Sequence, residues 1–181
     1  MINFEKLTVK AQEAVKEAYS IASEYGNQQI LPEHILKAML ADEGGAASEI
    51  LKKAGIDIKK IINDTQSAIE KLPKVSGISE IYMSKETDAM AALAVKKAQE
   101  FTDEYVNTEH FLIAMAQDKK SGAGAMLFKN GADEALILKA MRDIRGGQRV
   151  TDQNPEDKYR ALSKYGTDLV ERARSQKLDP V

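Results

Sequence analysis

The chain has no cysteine and no tryptophan, only two histidines and four prolines, and aromatic residues make up 6% of its 181 positions. Without cysteine there is no disulfide framework, no thiolate metal site and no thiol nucleophile, a composition that fits a reducing compartment. No run approaches the roughly 18 consecutive apolar residues that a membrane span needs. The opening MINFEKLTVK mixes acid and base with no apolar stretch behind it, so it does not read as a secretory signal, and a cytoplasmic location is expected. An excess of charge is also missing. Twenty-six basic residues face 28 acidic ones, for a net charge of −2, and the two signs are interspersed. Such a surface offers no field for nucleic acid or for an anionic membrane. The scarcity of aromatics beside abundant alanine suggests helices packed closely through small side chains.

What the chain does have is a repeat. LPEHILKAM at 31–39 returns as NTEHFLIAM at 107–115, with both histidines inside the two copies. The offset of 76 residues holds without a gap through Ala18/Ala94, Ala22/Ala98, Asp42/Asp118, Ala47/Ala123, Leu51/Leu127, Gly55/Gly131, Asp57/Asp133 and Ile61/Ile137. An ungapped match over about sixty residues marks duplication of one structural unit.

Each unit reads as four helices, so the fold class is all-α, with eight helices in two pseudo-symmetric repeats. Ala11, Ala14, Val15, Ala18, Ala22 and Tyr25 form one apolar stripe, with Thr8 as its N-cap and Ser84 as the cap of the copy. Gly26-Asn27 ends the first helix; Thr102-Asp103 stands there in the copy, so that turn is expected to be made differently. Pro32 suits the first turn of the next helix, and Thr108 is expected to cap its twin. Gly55 and Gly131 end a third helix. Asp57 and Asp133 cap a fourth, apolar at Ile58, Ile61, Ile62, Thr65 and Ile69, and at Leu136, Ile137, Met141 and Ile144. No run shows strand alternation. The expected boundaries are a body at 1–145 (repeats at about 4–72 and 80–145), a flexible or extended linker at 146–157 that adds little stability, and a tail at 158–181 with a helical stretch near 167–176. The tail is too short to close a core, and the chain reads as cut from a longer one.

Catalytic constellations are scarce. Glu33-His34 and Glu109-His110 are the candidates for metal, but adjacent residues lie about 100° apart around a helix and are poorly placed to chelate one ion. Duplication alone accounts for the pairing, and each histidine is expected to tie its helix's first turn to a neighbouring segment. SGAGAMLFK at 121–129 lacks the third glycine of a dinucleotide loop, and no Gly-x-x-x-x-Gly-Lys-Ser/Thr occurs. No catalytic residue is assigned, no cofactor is expected for this stretch, and ATP turnover is not expected. What remains is a binding module, with its site in the crease between the repeats.

LTVKAQEAV, PEHILKAML, GGAASEILKKAGID and NTEHFLIAM, in that order, resemble the N-terminal domain of Clp-type AAA+ protein unfoldases, a double four-helix repeat. The tail RGGQRVTDQNPEDKYRALSKYGTDLVERARSQKLDPV resembles the linker and first ATPase-domain residues of the disaggregase branch of that family. The resemblance implies a monomeric domain within a hexameric parent that uses ATP and Mg and works with a DnaK-type chaperone system. It also implies capture of unfolded or aggregated client polypeptides. Thr8, Asp103 and Glu109 match polar positions associated with that surface, and each has an alternative structural role as cap, turn former or partner of the helix dipole. Lys97 and His110 stand where relatives can carry leucine beside the groove, which implies a less apolar groove here. The alternatives are an adaptor-docking domain of a peptidase-associated unfoldase, and a helical metal enzyme using the two Glu-His pairs.

Overall fold

The computed structural model describes residues 2–77, 80–120 and 122–159. The first repeat contains α1 (Val9–Glu24), α2 (Pro32–Ala41), α3 (Ala46–Lys53) and α4 (Ile58–Glu70); the second contains α5 (Lys85–Glu100), α6 (Thr108–Gln117), α7 (Gly122–Lys129) and α8 (Glu134–Arg145). The all-α, two-times-four reading therefore stands. Expected caps do their work: Thr8 accepts from the Ala11 N–H, Ser84 from Thr87, Asp57 from Lys60 and Asp133 from Leu136. The alanine stripe of α1 is buried at Ala11, Ala14, Ala18 and Ala22.

Two short pairings, too brief to leave alternation in the sequence, lock the repeats together. β1 (Gln29–Ile30) pairs in parallel with β2 (Tyr82–Met83), with Ile30 opposite Met83. Leu7 forms a parallel bridge to Val106. Adding 76 to Ile30 gives Val106, and adding 76 to Leu7 gives Met83, so the two bridges are twins. In each, the residues entering one repeat's first helix pair with residues leaving the other's. Backbone bonds of 3.0 Å from Thr8 to Val106 and from Ser84 to Ile30 carry the symmetry into the caps.

Helices α2 and α6 form the centre. Every residue of α6 from Thr108 to Ala116 is buried, and Phe111, Leu112 and Ile113 are among the fully enclosed side chains, as are Ile35 and Leu36 of α2. The other helices surround this pair, each presenting its apolar stripe to one continuous core.

Three expectations need correction. The cap of α6 is Asn107, whose Oδ1 accepts the Thr108 N–H at 2.8 Å; Thr108 is the first helical residue, as Pro32 is in α2. The turn at Thr102-Asp103 is made as in the first repeat: Thr102 takes φ +59° where its twin Gly26 takes +70°. A β-branched residue there is strained. The donation of Arg149 Nε to the Thr102 carbonyl at 2.8 Å helps hold it.

The third concerns the linker, which is extended as expected but is not free of the body. Its backbone leaves α8 at Gly146, in a left-handed cap, and returns across the body. The Val150 side chain is fully buried, and Pro155, Glu156 and Tyr159 are buried in a helical turn at 155–159. The segment is therefore packed against the repeats, because its few apolar side chains are spaced to reach one crease. The expected helix near 167–176 lies outside the described residues.

Candidate functional site

The crease lies where the N-terminus of α1, the 102–110 corner and the C-terminus of α8 meet. Its anchor is Asp103. The carboxylate accepts from His110 Nε2 at 2.8 Å, from Arg145 Nη2 at 2.6 Å and from the Val150 backbone N–H at 2.8 Å. Burial opposes charge on Asp103, but these three bonds, with the guanidinium's positive charge, hold its carboxyl below the usual aspartate range. Arg145 also lies 3.3 Å from Glu109 Oε1, an ion pair without hydrogen-bond geometry. Glu109 is fully buried, and desolvation pushes its carboxyl up. Thr8 donates to Asn107 Oδ1 at 2.8 Å, joining the two repeats beneath the same crease.

The histidines are scaffold of one design. His34 Nδ1 accepts the Leu31 N–H at 2.9 Å and His110 Nδ1 accepts the Asn107 N–H at 2.8 Å, each closing its helix's first turn. The other ring nitrogen reaches back to the turn after the preceding helix, to Asn27 in one repeat and Asp103 in the other. An Nδ1 that accepts leaves the proton on Nε2, so geometry fixes the tautomer. Burial lowers the His34 pKa to about 4. Nitrogen-detected NMR at neutral pH should show His34 as the Nε2–H tautomer, and it should stay neutral until the pH approaches 4. A protonated His34 at pH 6 would contradict this arrangement.

Asp103, Glu109 and His110 offer ligand atoms within 4.8 Å of one another. The donor set does not fit a metal ion, because the Arg145 guanidinium already supplies positive charge to both carboxylates and the two His110 nitrogens are both engaged.

Of the five residues picked from sequence, Thr8, Asp103, Glu109 and His110 come together and are buried. Lys97 does not join them. Its ammonium pairs with Glu100 at 3.2 Å and Glu134 at 3.4 Å, at the opposite end of α8 from Arg145. Eleven residues of helix separate those ends, about 16 Å. Sequence reasoning missed Arg145, Asn107 and Val150. A signal for one of these, Arg145, was present: the 76-residue offset places Asn27 on Asp103 and Ile69 on Arg145, so a neutral pair has become a charged one.

The crease holds an extended peptide, the chain's own linker. Val150 donates to Asp103 and its carbonyl accepts from Glu104 N at 2.8 Å; Gln153 accepts the otherwise free Val9 N–H at the start of α1 at 2.9 Å.

A second pair of concavities obeys the repeat. A groove of about 410 Å³ between α1, α2 and the start of α3 is bounded by Lys10, Glu13, Lys16 and Glu17, with Lys10 and Asp42 paired across it at 3.2 Å. Its twin between α5, α6 and α7 is about 690 Å³. Here Ala89 replaces Glu13 and Leu93 replaces Glu17, over Met90 and Met115. Glu86 replaces Lys10 on its wall, and Asp118 stands at the twin position of Asp42.

The fold is that of a duplicated all-helical domain, eight helices in two repeats with the crease where they meet. Residues 6–130 match the family described as the Clp repeat (R) N-terminal domain. The chain is 43% identical over 181 residues to chaperone protein ClpB 2 of Nostoc sp., covering 99% of this chain and 20% of that one. It is 39% identical over 180 residues to chaperone protein ClpB 1 of Thermosynechococcus vestitus, with coverage of 99% and 20%. Among solved structures, the Hsp104 N-terminal domain from Candida albicans superposes with a TM-score of 0.74 at 22% identity, over 83% of this chain and 99% of that one. The chain belongs to the Clp N-domain family, and over almost its whole length it is similar to ClpB chaperones. It spans about a fifth of the length of the curated relatives it matches.

Proposed function

We propose that this domain captures exposed apolar segments of unfolded or aggregated polypeptides for an ATP-driven disaggregase. The observation that carries the reading is the occupied crease. An extended segment lies there by backbone hydrogen bonds to Val9 and Glu104, with Val150 buried and its N–H taken by Asp103. Backbone bonding is indifferent to sequence, and a buried aliphatic side chain every few residues is what an unfolded client offers. Binding is weak on this reading, because the client must be ordered as it docks.

Kinship with ClpB chaperones supports a wider assignment, proposed with it. Residues 1–145 are the N-domain, 146–157 the linker and 158–181 the start of the first ATPase domain. The parent is a cytoplasmic hexamer that binds ATP and Mg and cooperates with a DnaK-type system, and this stretch alone is monomeric and does not turn over ATP. No helix among the described residues is long and apolar enough to cross a membrane.

A second reading is adaptor docking in the larger twin groove, favoured by its apolar floor of Ala89, Leu93, Met90 and Met115. NMR titration with an unfolded, apolar polypeptide separates the two. Client capture predicts shifts at residues 7–9, 103–110 and 149–154 together. Shifts confined to α5, α6 and α7 would favour the second reading. No saturable shifts at any residue, even with the linker released, would remove both.

A further inference from the structure

We propose that residues 149–159 are a releasable latch that occupies the polypeptide-docking crease in cis, so that the latch and a client segment compete for the same backbone partners. The inference rests on the crease being the client site.

The latch has real attachments. Arg149 Nε donates to the Thr102 carbonyl at 2.8 Å, Val150 exchanges bonds with Asp103 and Glu104, and Gln153 caps α1 through Val9. Val150 is fully enclosed, and Tyr159 is 6% exposed. Its far end, however, is held at a penalty. Both carboxylate oxygens of Glu156 and the Tyr159 hydroxyl are buried with no hydrogen-bond partner among the described residues. The Asn107 amide nitrogen and Glu109 Oε1 beneath them are in the same state. Glu109 Oε1 keeps its ion pair with Arg145, but the other groups lose solvation without a hydrogen bond in return, so docking of the 155–159 turn carries a penalty. Burial, reinforced by the charge of Glu109, raises the Glu156 carboxyl to about 7, while its own backbone N–H, Asn107 and Lys10 oppose the shift. At neutral pH the turn thus carries a partly charged carboxylate that favours water.

Release also exposes a surface suited to a replacement. The Val9 and Glu104 N–H groups and the Asp103 carboxylate lose their linker partners together, and the Val150 pocket opens. A client segment supplies the same backbone carbonyls, the same N–H and an apolar side chain. Because the latch is tethered, its effective concentration is high. A client therefore binds the free crease tighter than the latched protein, and a bound client leaves the linker to the ATPase ring unanchored.

The chain's lack of cysteine makes the test clean. Val9→Cys with Gln153→Cys places a thiol pair where the two backbones already lie within hydrogen-bond distance, 2.9 Å from N to O. Oxidation locks the latch and reduction frees it. With an unfolded apolar polypeptide as probe, the oxidised form should bind at least about tenfold more weakly than the reduced form of the same protein. A second variant, Val150→Asp, should bind tighter than wild type while hydrogen exchange at residues 9, 104 and 150 speeds up. Equal affinity of oxidised and reduced forms, with shifts at the crease in both, would overturn the latch and leave client capture standing. Absence of binding by every form, including Val150→Asp with its segment shown by exchange to have left, would overturn the client reading and the latch with it.

Discussion

Replacing Arg145 by methionine should lower the free energy of unfolding by about 3–5 kcal/mol at neutral pH, read from the urea midpoint. The guanidinium is 6% exposed and sits between two carboxylates that are 0% and 1% exposed. Methionine keeps most of the volume and removes the charge. Asp103 is then left ionised and buried, because His110 and the Val150 N–H still favour its charged form. Glu109, already pushed toward protonation by burial, takes up a proton more readily. The sign of the pH dependence follows. Asp103 has a depressed pKa, so the stability it contributes is present above the ordinary aspartate value and fades as pH falls through the lower folded value. Wild type and variant should therefore converge in acid, where the charge that Arg145 neutralises is gone.

The first repeat supplies the control. At the matching positions it carries Asn27 and Ile69, and Ile69 is fully buried. The neutral set Asp103→Asn, Glu109→Gln and Arg145→Ile should recover most of the loss and lie within about 2 kcal/mol of wild type. If Arg145→Met costs less than about 1 kcal/mol, the ion-pair network is peripheral and the crease is held by packing alone.

The duplication made most of the fold legible. Helix number, the stripe on α1, and the caps at Thr8, Ser84, Asp57 and Asp133 all follow from local patterns that tertiary structure had no reason to override. The role of the histidines was also readable, since a residue in a helix's first turn, written twice, is explained by architecture. Other features depend on contacts between distant residues. The reciprocal bridges Leu7–Val106 and Ile30–Met83 are too short to leave a period of two. Thr102 takes a glycine's conformation because Arg149 and the Asp103 network over-determine it, something no local propensity announces. Asn107 outcompetes Thr108 as cap since it must also receive Thr8 from the other repeat. The linker misled for a compositional reason. A segment with so few apolar residues cannot build a core, yet Val150, Pro155 and Tyr159 seat it in a crease already built by others.

The repeats differ most sharply where an added methyl group decides the outcome. Gly124 lies inside α7, and its twin by the 76-residue offset is Ser48 inside α3. A β-carbon on Gly124 would fall far inside contact distance of the carbonyl oxygens of Met115 and Asp118. Those atoms belong to backbone at the end of α6 and cannot swing aside as a side chain would. Ser48, by contrast, has room for its side chain and donates its hydroxyl to the Asp42 carbonyl at 2.8 Å. In an exposed helix, glycine to alanine stabilises by up to about 1 kcal/mol. Here the sign should reverse. Gly124→Ala should destabilise by about 3 kcal/mol or more, since α7 must lift off α6 to admit the methyl group. Ser48→Ala should cost about 1 kcal/mol, the worth of one part-buried hydrogen bond. Lifting α7 also reshapes the larger groove, which Gly124 lines. Paired urea melts of the two variants read the difference directly. Equal small losses would mean that α7 is not seated on those carbonyls, and that the width of the groove is set by the side chains of Leu93, Met90 and Met115.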